Sequence, residues 1–589
     1  MKKRVLIPAL LMTVFAMASC SLINTSSDST TTSTNTGSAY DYNTSISVTD
    51  PTDIEATETT DEFSITTEDG AYTNSGNVYM ISAAGTYSLS GKLTGQILVE
   101  AGDDDEVVLE LNGVTITYGE DSPIKAVSGS KLEIYAKKDT DNVVKDTRST
   151  KTTDVDSQGE GAISADIDLK LKGSGTLVVT GNYNNGVHTT KDLTIQKLTL
   201  KVTGYNNAIK GKDSVTVTSG TIQAYALTGN GIKTEDSDLS SKGKQRGTIS
   251  LNGGNIYVDS LHDALDASYN IEIDETDSDV VLELAIKTGT YSTNYSRSSF
   301  KADSEKGLKA ANEIVINKGT IVIAASDDAV HANYGDTLEN GSTGLGNITI
   351  NDGLLQVASG DDGLHADNSL TINGGKIVVS GSTEGYEANY ININGGYSYI
   401  YGTDDGVNCS KKSFSNCAFT MTGGYLDVAV KSGDTDGIDS NGNFTLSGGT
   451  IITRGSPGTA ASGMSTGLDV DGTISMTGGT LIAFNGLEKS PSSSSTIKYA
   501  GTSGANFSNM GGGFFGGRGN NQSSSSTSLQ AGEYTLTGDG LDISFTNDYV
   551  YGSFQIYSSY LTSGSSYTLA SSGSTVLSWT QSSNSVTIA

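Results

Sequence analysis

The sequence predicts an all-β chain wound as a right-handed parallel β-helix, with three short strands in each coil of about 21–22 residues. Three observations predict it. First, markers recur at a fixed interval. Asn373 and Asn394, each followed by Gly-Gly, lie 21 residues apart, and Asp362, Glu384 and Asp405, each followed by Gly, lie 22 and then 21 apart. β-type runs at 364–366, 370–372 and 377–379 sit between the markers, and a self-similar period of this length is a repeat architecture. Second, the runs alternate. In Lys376-Ile377-Val378-Val379-Ser380 the frame puts Ile377 and Val379 inside and the other three outside. Moved to the next coil, it puts Ser398 and Ile400 inside and Tyr397, Tyr399 and Tyr401 outside. Third, 72 Gly against 5 Pro and 1 Trp, with 35% hydrophobic residues, suits a turn-dense fold with a thin core.

Taken in order, residues 1–19 read as a signal peptide: Lys2-Lys3-Arg4, an apolar stretch, then Ala18-Ser19 before Cys20. Small residues ahead of a cysteine predict lipidation of Cys20, with ordinary cleavage nearby as the alternative. The chain is therefore expected to be exported and lipid-anchored at the cell surface or outer membrane. Residues 20–61 are Ser/Thr-rich without periodicity and read as a tether. Residues 62–160 carry irregularly spaced strands and read as an N-terminal β cap with the first coils, covering open strand edges. The repeats fill 161–489, with insertions after Glu235, Asp274, Asn333 and Cys409. Residues 490–530 are a Ser/Gly-rich linker, and 531–589 return to strand pattern as a small β module or a C-terminal cap.

A net charge of −31 argues against nucleic acid and against anionic membrane surfaces, and favours divalent cations. No apolar run of about 18 residues follows the N-terminus, so the lipid is the expected membrane attachment. A monomer is expected. Three cysteines give no disulfide framework, and whether Cys409 and Cys417 pair stays open.

Aligning the coils on their x-(Gly/Ala)-apolar-x-small segments produces two polar columns. The first holds Asn185, Asn207, Asn230, Asp263, Lys306, Asp328, Asp362, Glu384, Asp405 and Asp436. The second, three residues on, holds His188, Lys210, Lys233, Asp266, Lys309, His331, His365, Glu387, Asn408, Asp439 and Asp469. Apolar residues between them, from Val187 to Leu468, should be core. Asp327, Asp361 and Asp404 crowd the same corner. Carboxylates stacked at strand spacing repel one another, and hard oxygen ligands on Gly-flanked turns suit Ca²⁺. The expected calcium ligands are Asp263, Asp266, Asp327, Asp328, Asp361, Asp362, Glu384, Glu387, Asp404, Asp405, Asp436 and Asp439. Turn propensity explains one Asp per turn but not paired columns. Lys309, His331 and His365 could face a carbohydrate from the same strip, or the histidines could form a solvated row. Tyr397, Tyr399 and Tyr401 form a row for stacking on sugar rings, or pack under the insertion after Cys409.

These residues resemble the bacterial exported carbohydrate-binding proteins with a parallel β-helix fold, similar in fold to family 9 pectate lyases. The resemblance spans roughly 70–490. It rests on Gly85-Thr-Tyr-Ser-Leu-Ser-Gly, Leu109-Glu-Leu-Asn-Gly-Val-Thr-Ile, Gly181-Asn-Tyr-Asn-Asn-Gly, Ile209-Lys-Gly-Lys-Asp-Ser-Val, and Asp361-Asp-Gly-Leu-His-Ala-Asp with Leu370-Thr-Ile-Asn-Gly-Gly. It implies calcium on the acidic turns and binding of an acidic plant-type polysaccharide such as polygalacturonate. Asn207 and Asn230 depart from the family's Asp pattern, which removes calcium from those early coils.

Two functions compete, with a structural adhesin as a third. A non-catalytic binder would hold an acidic polysaccharide through bridging cations, because direct approach of carboxylates is repulsive. A polysaccharide lyase would need a Lys or Arg base beside the calcium, and Lys309 is the best candidate, then Lys233. Neighbouring carboxylates would raise a lysine's pKa and make it a poor base.

Overall fold

The computed structural model describes residues 46–153, 158–277, 280–289, 304–458, 465–502 and 528–588. Among them there is no helix, and 46 strands join one large, mostly parallel sheet. The expected signal peptide 1–19, Cys20 and most of the tether lie outside the described residues.

Most repeat units contribute three strands, each paired in parallel with its counterpart in the next unit; in two units the first two strands run together, as Leu364–Ile372 and Tyr386–Ile393. Gly161–Ala165, Asp168–Gly173 and Thr176–Gly181 pair with Asn185–Thr189, Asp192–Gln196 and Leu198–Gly204. The pattern continues to Leu468–Val470, Ile474–Met476 and Thr480–Phe484. Register is one to one. Val187, Ile209, Ile232, Leu265, Leu308, Val330, Leu364, Tyr386, Val407, Ile438 and Leu468 face each other in succession, all fully buried. This is the apolar column that the spacing predicts.

Asn-x-Gly turns, Asn-Gly-Gly at Asn373 and Asn394, hold the units in register. Asn351, Asn373 and Asn394 form an amide ladder in which each Nδ2 donates to the preceding Oδ1, at 2.7, 2.8 and 2.9 Å, starting from Asn317. The second glycine of each Asn-Gly-Gly turn takes a left-handed conformation, φ 78° at Gly375 and 75° at Gly396. A Cβ at Gly396 would meet the Gly374 carbonyl carbon at 2.7 Å, so glycine is required there twice over.

The ends are capped with antiparallel pairs. Ser64–Thr67 lies antiparallel to Gly85–Thr94, and Tyr72–Ser75 forms a hairpin with Val78–Ile81. At the other end Phe554–Ser558 lies antiparallel against Thr480–Phe484 and ends that strand column. Residues after 531 cap the column, and they form a four-stranded antiparallel sheet of Gly532–Gly538, Leu541–Asn547, Ser566–Ser571 and Ser574–Thr580. Part of the expected linker is also strand: Lys498–Thr502 pairs with Phe554–Ser558 and Ser585–Ile588.

A second core changes what faces outward. Val378 and Tyr399, expected outside, are each 1% exposed. They belong to an apolar cluster with Tyr425, Ile452 and Ile482 that the C-terminal module covers with Leu536, Ile543, Phe545 and Ile556. The alternation within a strand reports only which side faces the first core. A covering layer on the opposite side leaves its signal 150 residues away. Residues 46–61, read from sequence as tether, also lie on the sheet. Ile46 and Ile54 are buried, the Ile54 amide donates to Gln223 Oε1 at 3.0 Å, and Asp50 pairs with Lys287 at 2.8 Å.

Arg454 pins the module down. It is fully buried, and its guanidinium donates to Asn547 Oδ1 and the Thr546 carbonyl, each at 2.8 Å, and to the Val428 carbonyl at 3.0 Å, while also pairing with buried Asp427. Arg454→Met is expected to leave Asp427 uncompensated and to destabilise the fold by about 3–5 kcal/mol. Denaturant unfolding followed by fluorescence of Trp579, which sits in the module, would check this; a loss under about 1 kcal/mol would show that Arg454 is dispensable to docking.

Candidate functional site

The turn from the third strand of one unit into the first strand of the next builds both polar columns. In Asp362-Gly363-Leu364-His365 the Leu364 side chain enters the core, which fixes Asp362 and His365 on the opposite side. Register then stacks each column: His188, Lys210, Lys233, Asp266, Lys309, His331, His365, Glu387, Asn408, Asp439 and Asp469 face one another in turn.

The columns face away from the core, yet several of their acids are buried while most of the second column is half-buried. Asp263, Asp328, Asp362, Glu384 and Glu387 are each 1–2% exposed. The reason is a ladder the sequence does not announce. In five first-column residues one side-chain oxygen accepts a hydrogen bond from the backbone N–H of the next unit's first-column residue. Asn207 accepts from Asn230 (3.1 Å), Asp263 from Lys306 (2.8 Å), Asp328 from Asp362 (3.0 Å), Asp362 from Glu384 (3.1 Å) and Asp405 from Asp436 (2.8 Å). An amide or a carboxylate serves equally for this cap.

The second oxygens meet cations. Lys306 Nζ lies 2.7 Å from both Asp327 and Asp328, and Lys309 Nζ lies 3.0 Å from Asp263 and 3.9 Å from Asp266. Lys233 pairs with Asp266, and Lys412 with Glu387. His331 and His365 stack with ring centroids 4.4 Å apart. His331 Nδ1 is 2.6 Å from Asp328; His365 Nδ1 is 2.9 Å from Asp362 and its Nε2 is 3.3 Å from Asp367. Burial alone would raise Asp328, but Lys306 and the two histidines hold it well below the usual carboxylate range. Burial, with Glu384 and Asp328 beside it, pushes Asp362 well up. Burial opposes charge on both histidines. It wins at His331, which is lowered, while bonds to Asp362 and Asp367 raise His365 well above its ordinary value.

Two all-oxygen groups converge here: Asp327, Asp328 and Asp361, and Asp361, Asp362 and Glu384. In each, one oxygen per residue lies within 4.8 Å of the others. That is about the span across a Ca²⁺ coordination sphere, twice the ~2.4 Å bond. Asp327 Oδ1 is buried without a hydrogen-bond partner. Two further groups include imidazole: Asp328, His331 and His365, and Asp362, His365 and Glu387.

Further along, carboxylates dominate. Burial and mutual repulsion push Asp405 up to about 8, Asp439 to about 7 and Asp436 to about 6; burial and the neighbouring Glu488 push Asp469 to about 7. Asp404 is half-buried beside Asp405. The structure thus joins Asp327, Asp328, Asp361, Asp362, Glu384, Glu387, His331 and His365 into one cluster. It sets Asp263 and Asp266 to one side with Lys309, and Asp404, Asp405, Asp436 and Asp439 to the other.

The tyrosine row is not part of this site. Tyr399 is enclosed under the C-terminal module with Tyr425, whose hydroxyl donates to the Ser544 carbonyl at 3.3 Å; Tyr401 is half-buried and Tyr397 is 38% exposed. A flat three-ring platform does not form, and the cover is the module rather than the insertion after Cys409. Cys409 and Cys417 are free buried thiols. Lys306 and Lys412 are the members that the site residues chosen from sequence leave out. Lys306 had a signal, since it stands in the acidic column. Lys412 comes from an aperiodic insertion and had none.

A family profile described as carbohydrate-binding domain-containing protein matches residues 75–347 and 343–434. A carbohydrate-binding domain-containing protein of Acetivibrio thermocellus is 37% identical over 132 residues, which is 22% of this chain and 44% of the relative; the chain thus spans less than half of that relative. A solved structure described as the polysaccharide lyase-like protein from C. thermocellum, gadolinium derivative, is 31% identical over 38% of this chain and 86% of its own, with a TM-score of 0.34.

Raised carboxylates favour the folded state only while protonated. Their stabilisation is present at low pH and is lost as pH rises through the folded values. Above pH 6.5, where His331 is already neutral, Asp405 (to about 8) and His365 still act in this sense, while Asp439 and Asp469 complete their loss near 7. In chelator, the melting temperature should therefore fall as pH rises from 6.5 to about 8, and Asp405→Asn should flatten the fall. A melting temperature that climbs over the same range would contradict the assignment.

Proposed function

The chain belongs to the carbohydrate-binding domain-containing family, and from that premise we propose that it is an exported, non-catalytic surface lipoprotein that binds an acidic polysaccharide, such as polygalacturonate, through calcium. In this reading the stacked units wind as a right-handed parallel β-helix, and lipid on Cys20 anchors the monomer. One observation carries the reading: the oxygens of Asp327, Asp328, Asp361, Asp362 and Glu384 converge at calcium-sphere separations in a buried corner. The donor set fits the ion. Carboxylates are hard ligands, and Asp328 and Asp362 each hold the next unit's backbone through one oxygen, while the other, now against Lys306 and His331 or against His365, would exchange that partner for the ion. When bound, the cation would neutralise the corner and present positive charge to uronate groups. The chain's own residues position it: Lys306, drawn to Asp327 and Asp328, limits how much negative charge is left over.

The lysine geometry weighs against a lyase. A base that removes a proton must be neutral near the working pH. Lys309 is pinned between Asp263 and Asp266, and although burial lowers its pKa those carboxylates raise it above the ordinary value. Lys233 is paired with Asp266.

In calorimetric titration, polygalacturonate should bind in millimolar calcium and not in chelator. Asp362→Asn keeps an oxygen for the Glu384 cap, as Asn207 does for Asn230, and should weaken calcium-dependent binding about tenfold without unfolding the chain. Equal affinity with and without calcium would overturn the reading.

With calcium and polygalacturonate present, no unsaturated product should appear by absorbance, and Lys309→Ala should alter affinity only modestly. Turnover by the wild-type chain that disappears in Lys309→Ala would make the protein an enzyme.

A further inference from the structure

The early units carry a different chemistry at the same corner. Their first column is Asn185, Asn207 and Asn230, all uncharged. Just ahead of that column, one position stacks through three successive units as Tyr205, Leu227 and Leu261. Their amides donate to the carbonyls of Gly181, Gly204 and Ala226 at 2.8, 3.0 and 3.1 Å, which fixes the register. Leu227 is 58% and Leu261 41% exposed, and Tyr205 is half-buried. In later units the position is Gly289, Gly360 and Lys431, with the same backbone bond and no large apolar side chain. An exposed apolar ladder therefore runs ahead of Asn207 and Asn230 and ends at Leu261, ahead of Asp263.

Beside this ladder is a hollow of about 330 Å³ whose lining includes Lys151, Thr152, Asn184, Tyr205, Asn206 and Thr228. The Lys151 ammonium is neutralised by both oxygens of Glu160, at 2.8 and 2.9 Å. The lining presents amides and hydroxyls, which both donate and accept, next to one aromatic face and two leucines. That combination suits a pyranose, whose hydroxyls need paired donors and acceptors and whose C–H face stacks on apolar surface. Without net charge it offers nothing to a carboxylate.

We propose that the hollow and the Tyr205–Leu227–Leu261 ladder form a second saccharide subsite, which takes uncharged sugar units without calcium. The inference rests on the carbohydrate-binding reading above. Two sources share this chemistry: esterified stretches of the same acidic polymer, and a separate neutral glycan.

The test is calorimetric titration of the whole mature chain in chelator with a methyl-esterified oligogalacturonide and, separately, with xylohexaose. At least one should bind, and Tyr205→Ala and Leu227→Ser should each weaken that binding about tenfold. Binding of the ester alone points to the same polymer, and binding of xylohexaose to a separate glycan. No binding of either probe, or wild-type affinity in both variants, overturns the proposal. Should Tyr205→Ala fold poorly, Leu227→Ser decides, because its side chain is mostly in solvent. Calcium-dependent binding of polygalacturonate by the wild-type chain, run alongside, separates the two readings. Its loss alone would sink the earlier one, and loss of chelator-resistant binding alone would sink this one.

Discussion

Strict parallel register is the constraint on which everything else in this protein depends. When each unit pairs one to one with the next, a residue that recurs in sequence becomes a ladder in space, with rungs at strand spacing of ~4.8 Å. Apolar rungs are favourable, and the column from Val187 to Leu468 becomes a continuous core. Amide rungs are favourable too, because each donates to one neighbour and accepts from the other, as Asn351, Asn373 and Asn394 do. Carboxylate rungs are not, since an ionised carboxylate can only accept.

The chain deals with that conflict in three ways along the two columns. In the early units it substitutes amides for carboxylates. In the middle it interleaves cations: Lys306, Lys309, His331, His365 and Lys412 each lie against one or more acids. Towards the end it leaves the acids together, and repulsion and burial raise Asp405, Asp439 and Asp469 into the neutral range. One constraint thus yields three electrostatic environments in a single line.

Most of the repeat was legible because it depends on local periodicity. The Asn-Gly-Gly spacing, the alternation at Ile377 and Val379, and the two polar columns all survive as observed neighbours. What was not legible depends on contacts distant in sequence. Tyr399 alternates as an outward residue and is buried because Phe545 and its module lie over it. Residues 46–61 look like a tether because two isoleucines in a Ser/Thr-rich stretch carry no period, yet both are buried. Within the site, spacing identified which acids stack. It did not reveal that Asp263, Asp328, Asp362 and Asp405 cap the next unit's backbone, which turns them from solvent into the structure.

That capping role bears on why the acids are there at all. If the columns served only the fold, asparagine would do the work at every unit, as Asn207 does when it accepts from the Asn230 amide. It would bring no repulsion, and its amide could bond along the ladder, as Asn207 does to Asn185 at 2.8 Å. Carboxylates at Asp328, Asp362, Asp405 and Asp436 provide the same cap and add charge that Lys306 and the histidines offset only in part. Stability therefore gives no reason to keep the charge. A ligand that binds oxygen anions gives one, and the cost in the unliganded state is then the source of the pH dependence that the column carries.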